Sequence, residues 1–513
     1  MTSYDIIVIG GGHNGLAAAT VLAKRGKKVL VLEAADAPGG MARGHEIAPG
    51  YLVSRAAHLA YRLDERVISE LGLRAHGLEY ASASVATVCL SPDAEPLTLK
   101  GAWGETVDGV EPSQAAAWAA LRKRLLFQAG TFGKFDRLVP VQPGHASLKQ
   151  KLALAASGLS LRMAGEKEFR QFLRMAGMCV ADIAEEKLSD ERLMGLIGFD
   201  ATLGIRLGPR SPTSVIGLYH RLAGGGNLAV VKGGMAGLAN AFAEAAKAAG
   251  VELRMSSPVA NIEIEAGRAV GVRFADGEVL SAHKVLSATS PVSTFLDLVG
   301  ARHLDTEFAR ELRHLRGGGN VAKLNIALSA PPRFGGAAED NAARFVHAPS
   351  IRHVETSFNP QKYGELPDDP PFEAVVESAF DKSLAPAGGA VVSVAVANVP
   401  HDLNGGWEKG RARLEKAVLD RLDSLSPGFS KSVVACETLT PPDLAALFGS
   451  GHWHHVELQA DRLYALRPVF GAAHYRTPVD GLYLCGAGTH PGGGISGLSG
   501  IMAAGQIIGD DGR

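Results

Sequence analysis

YDIIVIGGGHNGLAAATVLAKRGKKVLVLEAADAPGGMARG, residues Tyr4–Gly44, decides the fold. Tyr4 to Ile9 is a short apolar, β-branched run that suits a buried strand, and Leu16 to Arg25 has helical composition. Between them Gly10, Gly12 and Gly15 stand in the spacing G-x-G-x-x-G, with His13 and Asn14 inside it. The first glycine permits a tight turn, the second lets backbone approach a pyrophosphate, and the third lets helix pack on strand. The helix N-terminus then turns unpaired N–H groups toward the phosphates. Val29 to Leu32 reads as a second parallel strand, followed by Glu33 and Ala34, and Glu33 lies eighteen residues after Gly15. An acid at that distance accepts hydrogen bonds from a ribose diol. The fingerprint alone does not separate NAD from FAD.

A second glycine cluster, Gly39 and Gly40 followed by Met41, Ala42 and Arg43, supplies another close backbone approach and a fixed cation. That pairing suits a dinucleotide whose pyrophosphate is held from two sides. Near the other end, LRPVFGAAHYRTPVDGLYLCGAGTHPGGGISG (Leu466–Gly497) reads as a strand at Leu482–Cys485, a glycine-rich loop, and a helix from Ser499 to Ile508. Gly492, Gly493 and Gly494 ahead of that helix form a close-approach site for an anion or carbonyl.

These two stretches, with G-G-M-A-R, resemble the phytoene desaturase-like flavoproteins of the amine oxidase superfamily, and within them the pyridine nucleotide-disulfide oxidoreductase domain-containing protein 2 branch. The resemblance implies FAD as cofactor. It implies an α/β fold in which an FAD-binding Rossmann-like domain of amine oxidase/phytoene desaturase type is interleaved with an α+β substrate domain and a helical cap. It places Gly10, Gly12, His13, Asn14, Gly15, Glu33, Ala34, Gly40, Met41, Ala42, Arg43, Val259, Gly486, Gly493, Gly494, Ile495 and Ser496 against the cofactor. In such folds Val259 holds the adenine through its backbone, and the loop around Gly492–Gly494 supports the flavin ring and ribityl chain. The expected division is residues 1–75, 223–295 and 466–513 for the FAD domain, 76–222 for a cap region and 296–465 for a substrate domain.

The totals restrict the partners. A chain of 513 residues is too long for one ordinary core. With 52 basic and 53 acidic residues, no global basic field argues for nucleic acid, so the expected partner is a small molecule, which the resemblance implies is hydrophobic. Cys89, Cys179, Cys436 and Cys485 form no C-x-x-C pair and no metal-ligand cluster, which speaks against a dithiol relay and a metal site. The clusters Gly224–Gly226 and Gly317–Gly319 lack the strand–turn–helix context of a second nucleotide site. Electrons are therefore expected to pass from the flavin to oxygen or a quinone. No leader precedes the fingerprint and no run is long enough to span a bilayer, so the expected location is cytoplasmic. Residues 147–178 mix Lys and Arg with Leu, Met and Phe, and read either as an ordinary cap helix or as a membrane-facing mouth. Oligomer contacts carry the same ambiguity.

Along the chain, Asp64–Leu71 reads as a helix ended by Gly72, and Ala81–Val107 as strands of a separate antiparallel layer. Residues 112–222 read as mainly helical with breaks at Pro140, Pro143, Pro209 and Pro212. A helix at Leu238–Ala249 leads to strands at Glu252–Met255, Val259–Glu265, Ala269–Phe274 and Val285–Ser287, with a turn at Asp276–Gly277. Further strands are expected at Val321–Leu328 and Val391–Val399, and a helix at Arg411–Leu425.

For chemistry, the resemblance implies hydride removal from a C–H bond, with the protein orienting substrate, excluding water and supplying one base. Ser54, Arg55 and His58 follow the G-G-M-A-R loop and His490 sits in the C-terminal loop; the two histidines are the candidate bases. His452, His454 and His455 lie close together. His452 and His454 would share one face of a strand, but no carboxylate or cysteine partner is evident, so they read as cavity-lining or backbone-satisfying residues. The leading function is a dehydrogenase or desaturase acting on a hydrophobic molecule, isoprenoids among the candidates. An amine oxidase, a redox-neutral flavin isomerase and an FAD-stabilised partner-binding protein are the alternatives; aromatic residues at 6% disfavour the aromatic-lined amine site.

Overall fold

The computed structural model describes residues 4–141, 148–163, 165–315, 317–335 and 341–512. Pro143 and the start of the 147–178 stretch lie outside the described residues.

Tyr4–Ile9 pairs in parallel with Val29–Leu32 on one side and with Val279–Ser287 on the other. Its Val and Ile side chains are buried on both faces, as an unbroken apolar run requires. Glu252–Arg254 extends the sheet beyond Val29–Leu32, and Leu482–Leu484 joins in parallel at Val285–Ser287. Val279–Ser287 is longer than the sequence suggests because one strand serves two partners. Its first residues close the antiparallel meander with Arg268–Phe274, while residues from Ala282 onward run parallel to the first strand. The helices His13–Ala23, Gly234–Ala248 and Leu498–Asp511 cover one face. The first and last of these pack closely, since a Cβ on Gly500 would lie 2.2 Å from the Asn14 carbonyl oxygen.

Among the described residues a second sheet of eight strands contains Ala322–Leu328, Ala343–His347, Phe372–Val376, Ala390–Val396, Val433–Leu439 and the strands of the Ala86–Asp108 region. It is antiparallel except where Ala343–His347 runs parallel to Ala86–Ser91, so the strands at 86–108 belong to a mixed layer rather than a separate antiparallel one. The strands Ala343–His347, Phe372–Val376 and Val433–Leu439 are not announced by the sequence pattern. Phe372–Val376 and Val433–Leu439 each carry a buried or half-buried glutamate that interrupts the apolar pattern. Helices between Pro112 and Leu222 lie over this layer. Asp64 caps the helix Glu65–Leu71 through the amide of Arg66, and Gly72 closes it in the left-handed region at φ 72°. Among the described residues no helix is long and apolar enough to cross a membrane.

Candidate functional site

The hairpin Gly44–Ala48/Tyr51–Ser54 carries the chain from the first glycine loops to Arg55 and His58, beneath the second sheet. A cavity opens where these parts meet. Its wall includes Gly10, Gly12, His13, Asn14, Gly15, Glu33, Ala34, Gly40, Met41, Arg43, Val259, Gly493, Gly494 and Ile495, so these predicted cofactor residues converge in space. Ala42, Gly486 and Ser496 stand behind the wall instead. Ala42 is fully buried, a Cβ on Gly486 would lie 2.6 Å from the Thr289 carbonyl oxygen, and the Ser496 hydroxyl accepts from the Leu498 amide at 3.3 Å.

The two glycine loops touch backbone to backbone. The Gly39 amide donates to the Gly11 carbonyl at 2.8 Å, and a Cβ on Gly40, held at φ 55°, would lie 3.2 Å from the Gly12 Cα. Glu33 is aimed by two amides: Gly11 donates to Oε2 at 2.6 Å and Ala35 to Oε1 at 2.9 Å. Arg43 is nearly covered, with its guanidinium 5.8 Å above the Phe448 ring.

Besides His58 Nε2, four buried polar atoms on this wall, His13 Nε2, Asn14 Oδ1, Trp453 Nε1 and His455 Nδ1, find no hydrogen-bond partner among the described residues. Buried polar atoms are seldom left unpaired, so together with the side-chain-free glycine cradle they fit a polar dinucleotide such as FAD. Burial drives His13 down to about 4 and His455 to about 3, so both present neutral rings.

The C-terminal loop is held from below by Arg467. This fully buried guanidinium donates to six carbonyl oxygens: Thr489 at 3.1 Å, Glu457 at 2.9 Å, Arg462 at 3.4 Å, His454 at 2.7 Å, Val456 at 3.1 Å and Ala487 at 3.0 Å. Burial lowers its pKa to about 9 against the pull of Glu457, which leaves it charged at neutral pH. His454 Nδ1 accepts from the Gly493 amide at 3.1 Å, and His452 Nδ1 accepts from the His454 amide at 3.0 Å. His455 lines the cavity. The two sequence readings of this cluster thus apply to different members. Two details differ: the segment is a turn rather than a strand, and Glu457 Oε1 lies 3.4 Å from His452 Nε2.

His58 and His490 have different surroundings. His58 lines the cavity, its Nδ1 is 3.1 Å from Lys323 Nζ, and its Nε2 is 3.3 Å from Glu373 Oε1. Burial, then the Lys323 charge, pushes its pKa down, with Glu373 opposing. His490 is not among the cavity-lining residues. Its Nε2 donates to the Phe135 carbonyl at 2.9 Å, and burial lowers it to about 3, so the structure corrects the expectation of a base there. His490→Gln is expected to lower the melting temperature while leaving the rate of flavin reduction within about twofold, read by calorimetry and stopped-flow absorbance.

No motif in the sequence marks Lys323, Arg221, Glu373, Tyr61, Trp453 or Arg467. A signal existed for Lys323, which alternates with Asn325 inside the apolar strand Ala322–Leu328 and so shares a face with it. Also outside any motif is the knot of His347, His353 and Asp369, whose donor atoms lie within 4.8 Å of one another. That spacing suits a metal ion, but the Arg421 guanidinium already holds the carboxylate at 2.9 Å, and none of the three lines the cavity. Cys89, Cys179, Cys436 and Cys485 are all unpaired.

Residues 15–508 match the family described as flavin containing amine oxidoreductase. Pyridine nucleotide-disulfide oxidoreductase domain-containing protein 2 of Mus musculus is 32% identical, over 99% of this chain and 94% of its own length. Hydroxyneurosporene desaturase of Cereibacter sphaeroides is 26% identical, over 98% of this chain and 97% of its own. Among solved structures, cyclohexylamine oxidase from Brevibacterium oxydans is 16% identical, with a TM-score of 0.55 over the whole of both chains.

Proposed function

The chain belongs to the family of flavin-containing amine oxidoreductases and uses FAD, and from that premise we propose that it is a dehydrogenase of desaturase type acting on a hydrophobic small molecule. One observation carries the reading: a single cavity is continuous from the dinucleotide cradle at Gly10–Gly15 to the buried face that holds His58, Tyr61 and Glu373. FAD, when bound, supplies the acceptor for a hydride. The glycine cradle, Glu33 and Arg43 hold the dinucleotide. Leu59, Leu298, Ala446 and Leu447 line the cavity with apolar surface that excludes water. His58, kept neutral by burial and by Lys323, takes the second proton at Nε2 in the form in which Lys323 has lost its own proton and accepts from Nδ1–H. Oxygen or a quinone is the terminal acceptor in this reading. Exposed Leu152, Leu159, Met163 and Leu173 on the helices Leu148–Met163 and Glu166–Ala176 support a lipophilic surface through which such a substrate arrives.

The test is the visible spectrum of the purified protein, followed without oxygen as prenoid lipids and amines are added. Bleaching by a prenoid with gain of a double bond supports the proposal. Bleaching by amines, with aldehyde formed, replaces it with amine oxidation, and a flavin that no compound bleaches argues for a binding role.

A pH dependence follows from Lys323. Burial lowers its pKa to about 8 from 10.5, although Glu377, Glu373 and Glu437 oppose the shift. Losing that proton removes the cation beside His58 and makes the imidazole a stronger base. The rate of flavin reduction is therefore expected to rise through pH 8, and the inflection is expected to vanish in Lys323→Met. Between the folded and unfolded values the unfolded chain binds more protons, so wild-type stability relative to Lys323→Met rises as pH goes from about 8 to 10.5. Chemical denaturation across that window checks the sign.

A further inference from the structure

The far wall of the cavity is polar and is backed by a network of paired charges. Arg344 donates to Asp200 at 2.5 Å and to Glu373 Oε2 at 2.5 Å, while Arg221 lies 3.2 Å from Asp200 and 3.4 Å from Glu373 Oε2. Two guanidinium groups thus neutralise two carboxylates, and Arg221 also covers the Tyr61 ring at 5.0 Å. In front of this network stands His58, only 4% exposed. A Lys ammonium has only protons to give, so Lys323 donates to Nδ1 and the ring hydrogen of neutral His58 belongs on Nε2. That N–H has no aligned hydrogen-bond acceptor among the described residues. Glu373 Oε1, 3.3 Å away, is not the oxygen that receives the arginines. The wall therefore presents one donor and one acceptor side by side.

A hydroxyl group uses both, accepting from His58 Nε2 and donating to Glu373 Oε1. A pure hydrocarbon leaves the buried N–H without a partner, an ammonium meets Lys323 and Arg221, and a carboxylate meets Glu373. Resting on the dehydrogenase reading above, we infer that the substrate is an amphiphile, an apolar chain bearing one neutral hydroxyl group that docks between His58 and Glu373.

The experiment titrates the FAD-loaded protein anaerobically with geraniol, myrcene, geranylamine and geranic acid, reading the perturbation of the flavin absorption band. Geraniol is expected to bind about tenfold or more tightly than each of the others. His58→Phe is expected to bring geraniol and myrcene to the same affinity; should that variant not fold, the selectivity of the wild-type protein decides alone. Equal affinity for geraniol and myrcene, tighter binding of the amine or the acid, or no perturbation by any probe overturns the inference. The two readings fail separately. Selective binding of geraniol without bleaching tells against the dehydrogenase and supports the hydroxyl dock, whereas bleaching by myrcene without selectivity for geraniol does the reverse.

Discussion

Arg467→Met is expected to yield a protein that has lost its flavin and on the order of 3–5 kcal/mol of stability. The substitution keeps much of the side-chain volume and deletes the donor that serves six carbonyl oxygens at once. Those carbonyls come from two segments, residues 454–462 and residues 487–489. The guanidinium is therefore the tie between the histidine turn and the loop that carries Gly493 and Gly494. Arg467→Lys keeps the charge but offers three donors from one point, which cannot span that fan of acceptors, so it is expected to fall between wild type and Met. The measurements are the flavin-to-protein absorbance ratio after gel filtration and the denaturant midpoint. A Met variant with full flavin and an unchanged midpoint would show that the carbonyls find other donors.

Gly15→Ala is expected to lower FAD affinity about 10- to 100-fold, the effect of forcing apart a turn whose backbone has no slack. Its Cβ would lie 2.1 Å from the Gly10 carbonyl oxygen and 3.2 Å from the Ala288 Cβ, so the helix would have to leave the strand that aims it. Gly130→Ala is the matching control: it sits inside the helix Pro112–Asp136 with nothing within 4 Å, and is expected to be neutral or slightly stabilising. Fluorescence titration of the apoprotein with FAD compares the two. Equal affinity in both variants would mean that the close approach at Gly15 is not needed for binding.

The cradle was legible in sequence because its information is local. Gly10, Gly12, Gly15 and Glu33 fall within one strand–turn–helix–strand unit, where spacing fixes geometry. The converging loop at Gly493–Ile495 was legible only through family likeness, since nothing in the periodicity says that residues 493 and 12 share a wall. The far wall was not read at all. Lys323, Arg344 and Glu373 sit in fully buried strands, and a charge there gains its meaning from partners on other elements, such as Asp200 on the helix Glu191–Thr202. His490 shows the opposite error. Its place in the C-terminal loop suggested a base, whereas the acceptor that fixes it, the Phe135 carbonyl, lies 355 positions away in the chain.

The shared strand Val279–Ser287 also governs the order in which the molecule can be built. It lies between the first strand and Leu482–Leu484, while Leu498–Asp511 packs onto the first helix. During synthesis the opening strand has its neighbour at Val29–Leu32 within seconds, but its other flank stays open until Val285 emerges, and the fold around the cradle is unfinished until the last helix clears the ribosome. For most of translation the apolar edge of Tyr4–Ile9 is thus a surface for a chaperone to guard, and a nascent chain stalled before residue 482 would hold the whole nucleotide fingerprint without the loop that closes it.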